Sequence, residues 1–94
     1  MPVARRNVAW LNRLLTSVLE RLHSEQVAPT PERHATIAHV ERALVELGNP
    51  SPDETLIKGA ILVSLGDLEH NPSARDLCAS LRTAAGHVFG AAPP

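Results

Sequence analysis

The sequence is poor in cysteine, net charge and aromatics, and these shortages exclude whole classes of protein. A single cysteine, Cys78, rules out an internal disulfide framework and any cysteine-rich zinc site. A formal net charge of -1 argues against strong non-specific binding to DNA or to anionic membranes. No apolar run approaches the ~18 residues of a membrane span, and no signal peptide opens the chain. A cytoplasmic protein with no membrane partner is therefore expected. Glycine-rich phosphate loops, HExxH and GxSxG are all missing. With no catalytic constellation in sight, the chain reads as a non-enzyme that needs no cofactor. Trp10 and Phe89 are the only aromatics, which leaves the core to aliphatic side chains.

What is present is a globular composition in 94 residues, 44% hydrophobic and 20% charged. That length is one domain, residues 1–94. A domain of this size buries only roughly 60–65% of the surface its unfolded chain exposes, so its core is thin.

Proline placement gives the organisation. Thr30-Pro31, Ser51-Pro52 and Asn71-Pro72 recur at near-regular spacing. Thr, Ser and Asn are good N-caps, because a side-chain oxygen accepts an orphan N–H of the first turn. Proline suits the first helical position, where its missing N–H costs nothing. Ser51 with Glu54 fits a capping box. Glu32, Asp53, Glu54 and Asp76 would then stand in first turns, where they complement the helix dipole. Gly48, followed by Pro50, reads as the stop of the helix before it. The expectation is an all-α, four-helix domain with helices about 3–25, 31–47, 52–70 and 72–89. The tails, 1–2 and 91–94, are expected to fray. Apolar residues recur at the same offsets from each cap, which we take as shared helical periodicity and not as a solenoid.

Each helix has its own pattern. In the first, Val8, Leu11, Leu15, Val18 and Leu22 follow a 3-4-3-4 spacing, an a/d seam suited to a partner helix. Such a seam packs either on the domain's own core or on a second copy. The length of this helix and the shortage of core add weight to a homodimer interface through these five residues. The second helix carries a narrow stripe of Ile37, Val40, Leu44 and Leu47. The third is apolar nearly all round, which predicts a centrally buried helix. Gly59 and Gly66, seven apart, share one of its faces and suggest close packing of another backbone there. The fourth has mostly small apolar residues, Ala74, Cys78 and Ala85 among them, so its neighbour can lie near.

Few groups suggest chemistry. Glu20/His23 and Asp67/His70 share helix faces at i,i+3, as in di-iron carboxylate bundles. Glu20 and His23 point away from the seam, however, and the inward glutamates such a site needs are missing, so no metal site is assigned. His34 and His39 diverge. Cys78 lies in an apolar stripe with no basic neighbour that would lower its pKa, and reads as a buried small hydrophobe. Helices two and three fail as helix-turn-helix, since the recognition helix would bring only Lys58 to base edges. Residues 1–21, with Arg5, Arg6, Arg13 and Arg21 against Glu20, are net +3, and the rest is net -4. A solvated basic face is the plain reading; paired in a dimer, these arginines would form a modest anion-binding patch.

Lys58, Ile61, Leu62, Leu68 and Glu69, with Leu65 between, form the pattern K-x-x-I-L-x-x-φ-x-x-L-E. A helix with a glycine stop, Ala35–Gly48, precedes it; a polar break and a last helix with Asp76 near its start follow. Over roughly residues 35–88 this resembles the YmgB/AriR family of small helical regulators. The resemblance implies an all-helical homodimer without enzyme activity, affecting biofilm formation and stress responses. It also implies protein contacts to two-component signalling, with a transcription or response regulator as partner. The expected function is thus a non-enzymatic regulatory or adaptor protein working through protein–protein contacts. The alternatives are a small metal or ligand sensor using its five histidines and carboxylates, or an accessory subunit or chaperone.

Overall fold

The computed structural model describes residues 5–24, 27 and 29–88. They form four helices: α1 (Arg5–Leu22), α2 (Pro31–Leu47), α3 (Glu54–Leu68) and α4 (Arg75–Val88), with a 3₁₀ turn (Pro72–Ala74) leading into α4. The expected start at residue 3 and end at 89, and the tails, lie outside the described residues; α1 ends at Leu22, short of the expected 25, with His23 and Ser24 in a turn. Among the described residues there is no strand.

The proline-marked starts hold at two of three places. Thr30 caps α2 from an extended backbone, its hydroxyl accepting the Arg33 N–H at 3.2 Å, with Pro31 in the first turn. Asn71 caps the 3₁₀ turn, its side-chain oxygen accepting the Ser73 N–H at 3.1 Å. At the third place the cap is Asp53, which accepts the Thr55 N–H at 2.9 Å. Ser51 is solvent-exposed and Pro52 is buried, so the Ser51–Glu54 capping box does not form. The reason lies upstream: the Glu46 carboxylate near the end of α2 accepts the Asp53 N–H at 2.8 Å and draws the start of α3 two residues on. Gly48 does follow the end of α2, but in a right-handed conformation (φ -77°, ψ -9°), its N–H bonded to Val45 O at 3.1 Å. No left-handed turn is needed there.

The helices pack as a ring. α2 lies against α3 most extensively, α1 against α2 and α4, and α3 against α4, with α1 and α3 diagonal. Leu15 of α1, Val40 and Ala43 of α2, Ile61 of α3 and Leu81 of α4 converge with no space between them for a water molecule. Small residues let α4 approach: Ala74, Cys78, Ala84 and Ala85 are all buried. Besides the capping Asn71, two polar side chains are buried, Thr36 and Ser64, and neither hydroxyl is orphaned. Each donates back along its own helix, to Glu32 O at 2.8 Å and to Ala60 O at 2.7 Å.

This packing corrects the assignment of α1 as a dimer seam. Leu11, Leu15 and Leu22 are 0% exposed and Val18 is 2% exposed within a single chain, while Val8 is half-buried against the same core. Once the ring closes, Leu11, Leu15, Val18 and Leu22 have no surface left to offer a second copy. The 3-4 spacing specifies a face for helix packing; it carries no information on whether the helices it meets belong to the same chain.

Charge closes the ring between its sequence-distant helices. The Arg21 guanidinium donates to both Asp76 carboxylate oxygens, at 2.5 and 3.3 Å, joining the end of α1 to the start of α4. That hydrogen bond and the arginine charge hold the Asp76 carboxyl below the usual carboxylate range, against a smaller opposing effect of desolvation. Both residues are substantially exposed, so the bond is a modest clamp.

Two predictions follow from these contacts. Asp53→Ala should lower the free energy of unfolding in urea by about 1 kcal/mol, and Ser51→Ala should leave it nearly unchanged; equal effects would move the cap back to Ser51. Asp76 has a lowered folded-state pKa, so its stabilisation is present above the ordinary carboxylate pKa and lost as pH falls through the lowered one. Thermal midpoints measured from about pH 5 to about pH 2 should therefore fall less steeply in Asp76→Asn than in the parent chain.

Candidate interaction surface

Each helix of the ring buries one face, and the outer faces differ. α1 presents Arg13 and Glu20 to solvent, α2 Glu32, Glu41 and Arg42 together with the isolated Val45, and α4 Arg75, Asp76 and Arg82. α3 presents Thr55, Gly59, Leu62, Val63 and Gly66 instead. These follow a spacing of three and four, one stripe opposite the buried Ile57, Ile61, Ser64 and Leu68. Leu62 is 50% and Val63 48% exposed. The expectation that α3 is buried centrally is thus corrected. In a ring of four, a helix meets two neighbours, and no fifth element among the described residues covers its far side.

Gly59 and Gly66 lie on this outer face. A Cβ built on either meets nothing within 4 Å, so among the described residues no other backbone approaches them. The close packing expected at these glycines is therefore absent from the protomer. Their small size leaves a dent instead. Beside Gly59 and Ala60 runs an open groove of about 310 Å³, bounded by His39 and Arg42 of α2 and by Thr55, Leu56 and Val63 of α3.

Charge borders the stripe without crossing it. Lys58, partly exposed, and Glu69, exposed, stand on one edge. Lys58 has no ion pair among the described residues. His39 and Arg42 stand on the other edge, with His39 Nε2 3.8 Å from Asp67 Oδ2. Full burial of a Leu or Val side chain is worth about 1.5–3 kcal/mol, so covering the exposed halves of Leu62 and Val63 would contribute roughly 1 kcal/mol each.

The other groups singled out in the sequence stay apart. Asp67 pairs with His39, and His70 Nε2 lies 3.3 Å from Glu69 Oε1, so Asp67 and His70 form no pair. Glu20 and His23 are both exposed. Among the described residues no three His, Cys, Asp or Glu side chains converge as a metal site requires. Cys78 is buried, and burial pushes its thiol pKa up despite the nearby Arg82. A second groove of about 310 Å³ lies beside it, between the end of α3 and the start of α4. Its walls mix Glu69 with Arg75 and Arg82, which leaves no single charge for a ligand to match. Of the N-terminal arginines, Arg21 is engaged by Asp76 and Arg13 is exposed; the side chains of Arg5 and Arg6 lie outside the described residues.

The α3 stripe was readable in part. Counting apolar residues hides it, because both faces of α3 are apolar. The visible signal is the pair of helix-breaking residues placed a heptad apart, with Leu62 between them on the same side.

Because both glycines face open space inside a helix, alanine there should stabilise the isolated fold. Gly59→Ala should raise the free energy of unfolding by up to about 1 kcal/mol in dilute solution. Gly66→Ala, in the last turn, should give a smaller gain. A loss of stability on either change would show that an element does pack against α3 in the protomer.

Compared with protein-family models, curated proteins and solved structures, the chain matches none of them.

Proposed function

We propose that this chain is a non-enzymatic regulatory or adaptor protein that acts through protein–protein contacts, with the outer face of α3 as its contact surface. The observation that carries this reading is the uncharged stripe from Thr55 to Gly66, with Leu62 and Val63 half-exposed side by side, where the other helices set charged residues among their exposed ones and α2 exposes Val45 as its one large hydrophobic. A stripe of this kind suits an apolar surface of another protein. It does not suit a nucleic acid, which would need a row of basic and polar side chains where α3 has Lys58 alone. The resemblance of residues 35–88 to the YmgB/AriR family supports the same direction. It adds a setting, biofilm and stress signalling, and a class of partner, a transcription or response regulator.

The test uses two baits, the parent chain and Leu62→Glu/Val63→Glu, in nuclease-treated pull-downs from the native host. Both positions are solvent-exposed, so the variant should keep its helical circular dichroism. A regulator that is retained by the parent, lost from the variant and rebound as a purified protein is the expected outcome. Equal retention by both baits would remove α3 from the reading. A partner consumed as an enzyme's substrate would replace it.

A further inference from the structure

We infer that the outer face of α3 pairs antiparallel with the same face of a second copy of this chain. The inference rests on the reading of α3 as a contact surface and names its occupant. Three features of the stripe bear on that choice, and the first two are nearly symmetric about the middle of the helix.

The first is shape. A two-fold axis passing between Leu62 and Val63, perpendicular to the helix, places Gly59 of each copy opposite Gly66 of the other. Leu62 of each copy, half-exposed, then lies opposite Val63 of the other, and a Cβ at either glycine would meet nothing within 4 Å in the protomer. Small residues at both ends of the contact let the two helices approach closely, while the large ones at its centre interlock.

The second is charge along one edge. Lys58 and Glu69 are eleven residues apart, about three turns at 3.6 residues per turn, so they stand on the same edge of the stripe. In an antiparallel pair, like edges meet. Lys58 of each copy then faces Glu69 of the other, and the dimer gains two ion pairs related by the axis. Lys58 lacks an ion pair among the described residues, and Glu69 neighbours only the adjacent, highly exposed His70.

The third is charge along the other edge, and it selects the direction. A parallel pair would bring the Lys58 edge of one copy against the edge bearing His39 and Arg42 of the other, cation against cation. The antiparallel pair keeps Lys58 away from that edge and sets the two His39/Arg42 edges beside each other instead. The uncharged stripe supplies the attraction, and the edges supply the orientation.

Sedimentation equilibrium on the full chain tests this. Twice the chain mass is expected at high micromolar concentration. Gly59→Leu is the first variant: a Cβ there meets nothing within 4 Å in the protomer, so the helical circular dichroism should persist while the mass falls to that of one chain. Lys58→Glu should raise the dimer dissociation constant about tenfold, since both ion pairs become repulsive. Lys58→Glu/Glu69→Lys should restore it to near the parent value. A parent chain that sediments as a single copy at every concentration overturns the pairing. So does a Gly59→Leu chain that remains dimeric, and failure of the double charge reversal to restore affinity overturns the antiparallel orientation. A monomeric parent that still captures a regulator lost from Leu62→Glu/Val63→Glu would overturn self-pairing and leave the contact-surface reading in place.

Discussion

All four helices meet at one point, where Leu15, Ile61 and Leu81 close over Val40 and Ala43. The rest of the structure depends on that convergence. A chain this short buries too little surface for a spare hydrophobic face to be left idle. α1 is therefore drawn wholly inward, and its seam forms a wall of the core. The small side chains of α4 follow from the same constraint. Alanine and cysteine let α4 close the ring with no space left for a water molecule, where leucine at every position would hold it off.

Much of this was legible in the sequence, and the limits of legibility are physical. Thr30-Pro31 announced the start of α2 to the residue, because a cap and its proline act locally. Ser51-Pro52 misled because Asp53, two residues on, is an equally good cap, and the choice was made by Glu46 from the preceding helix. No local pattern records that contact. The stripe of α1 was legible as a packing face, yet spacing cannot say which chain supplies the other side. The outer face of α3 was the hardest to read. Its residues look like core residues, and their exposure depends on there being four helices and not five.

The two glycines show how one sequence feature supports different structural conclusions. Side by side on a helix face, they suggest a close neighbour. The protomer supplies none, so in it they only weaken α3 and leave it with a shallow surface. The cost falls on the isolated chain, while any benefit must come from outside it. Ile57, Ile61 and Leu68 on the inner face fix the place of α3 in the ring, leaving the outer face free of any role in the fold.

The Arg21–Asp76 bond ties residues 55 positions apart, whereas α2 and α3 are joined by a connection of a few residues. The two contacts therefore form on different terms. Pairing of α2 with α3 closes a short loop and needs little of the chain to be ordered first. Docking of α1 on α4 closes a loop that contains the rest of the domain. The ring thus has a natural order of assembly, with the α2–α3 hairpin early and the α1–α4 seam last. The same seam is also the least extensive of the four helix–helix contacts in the ring.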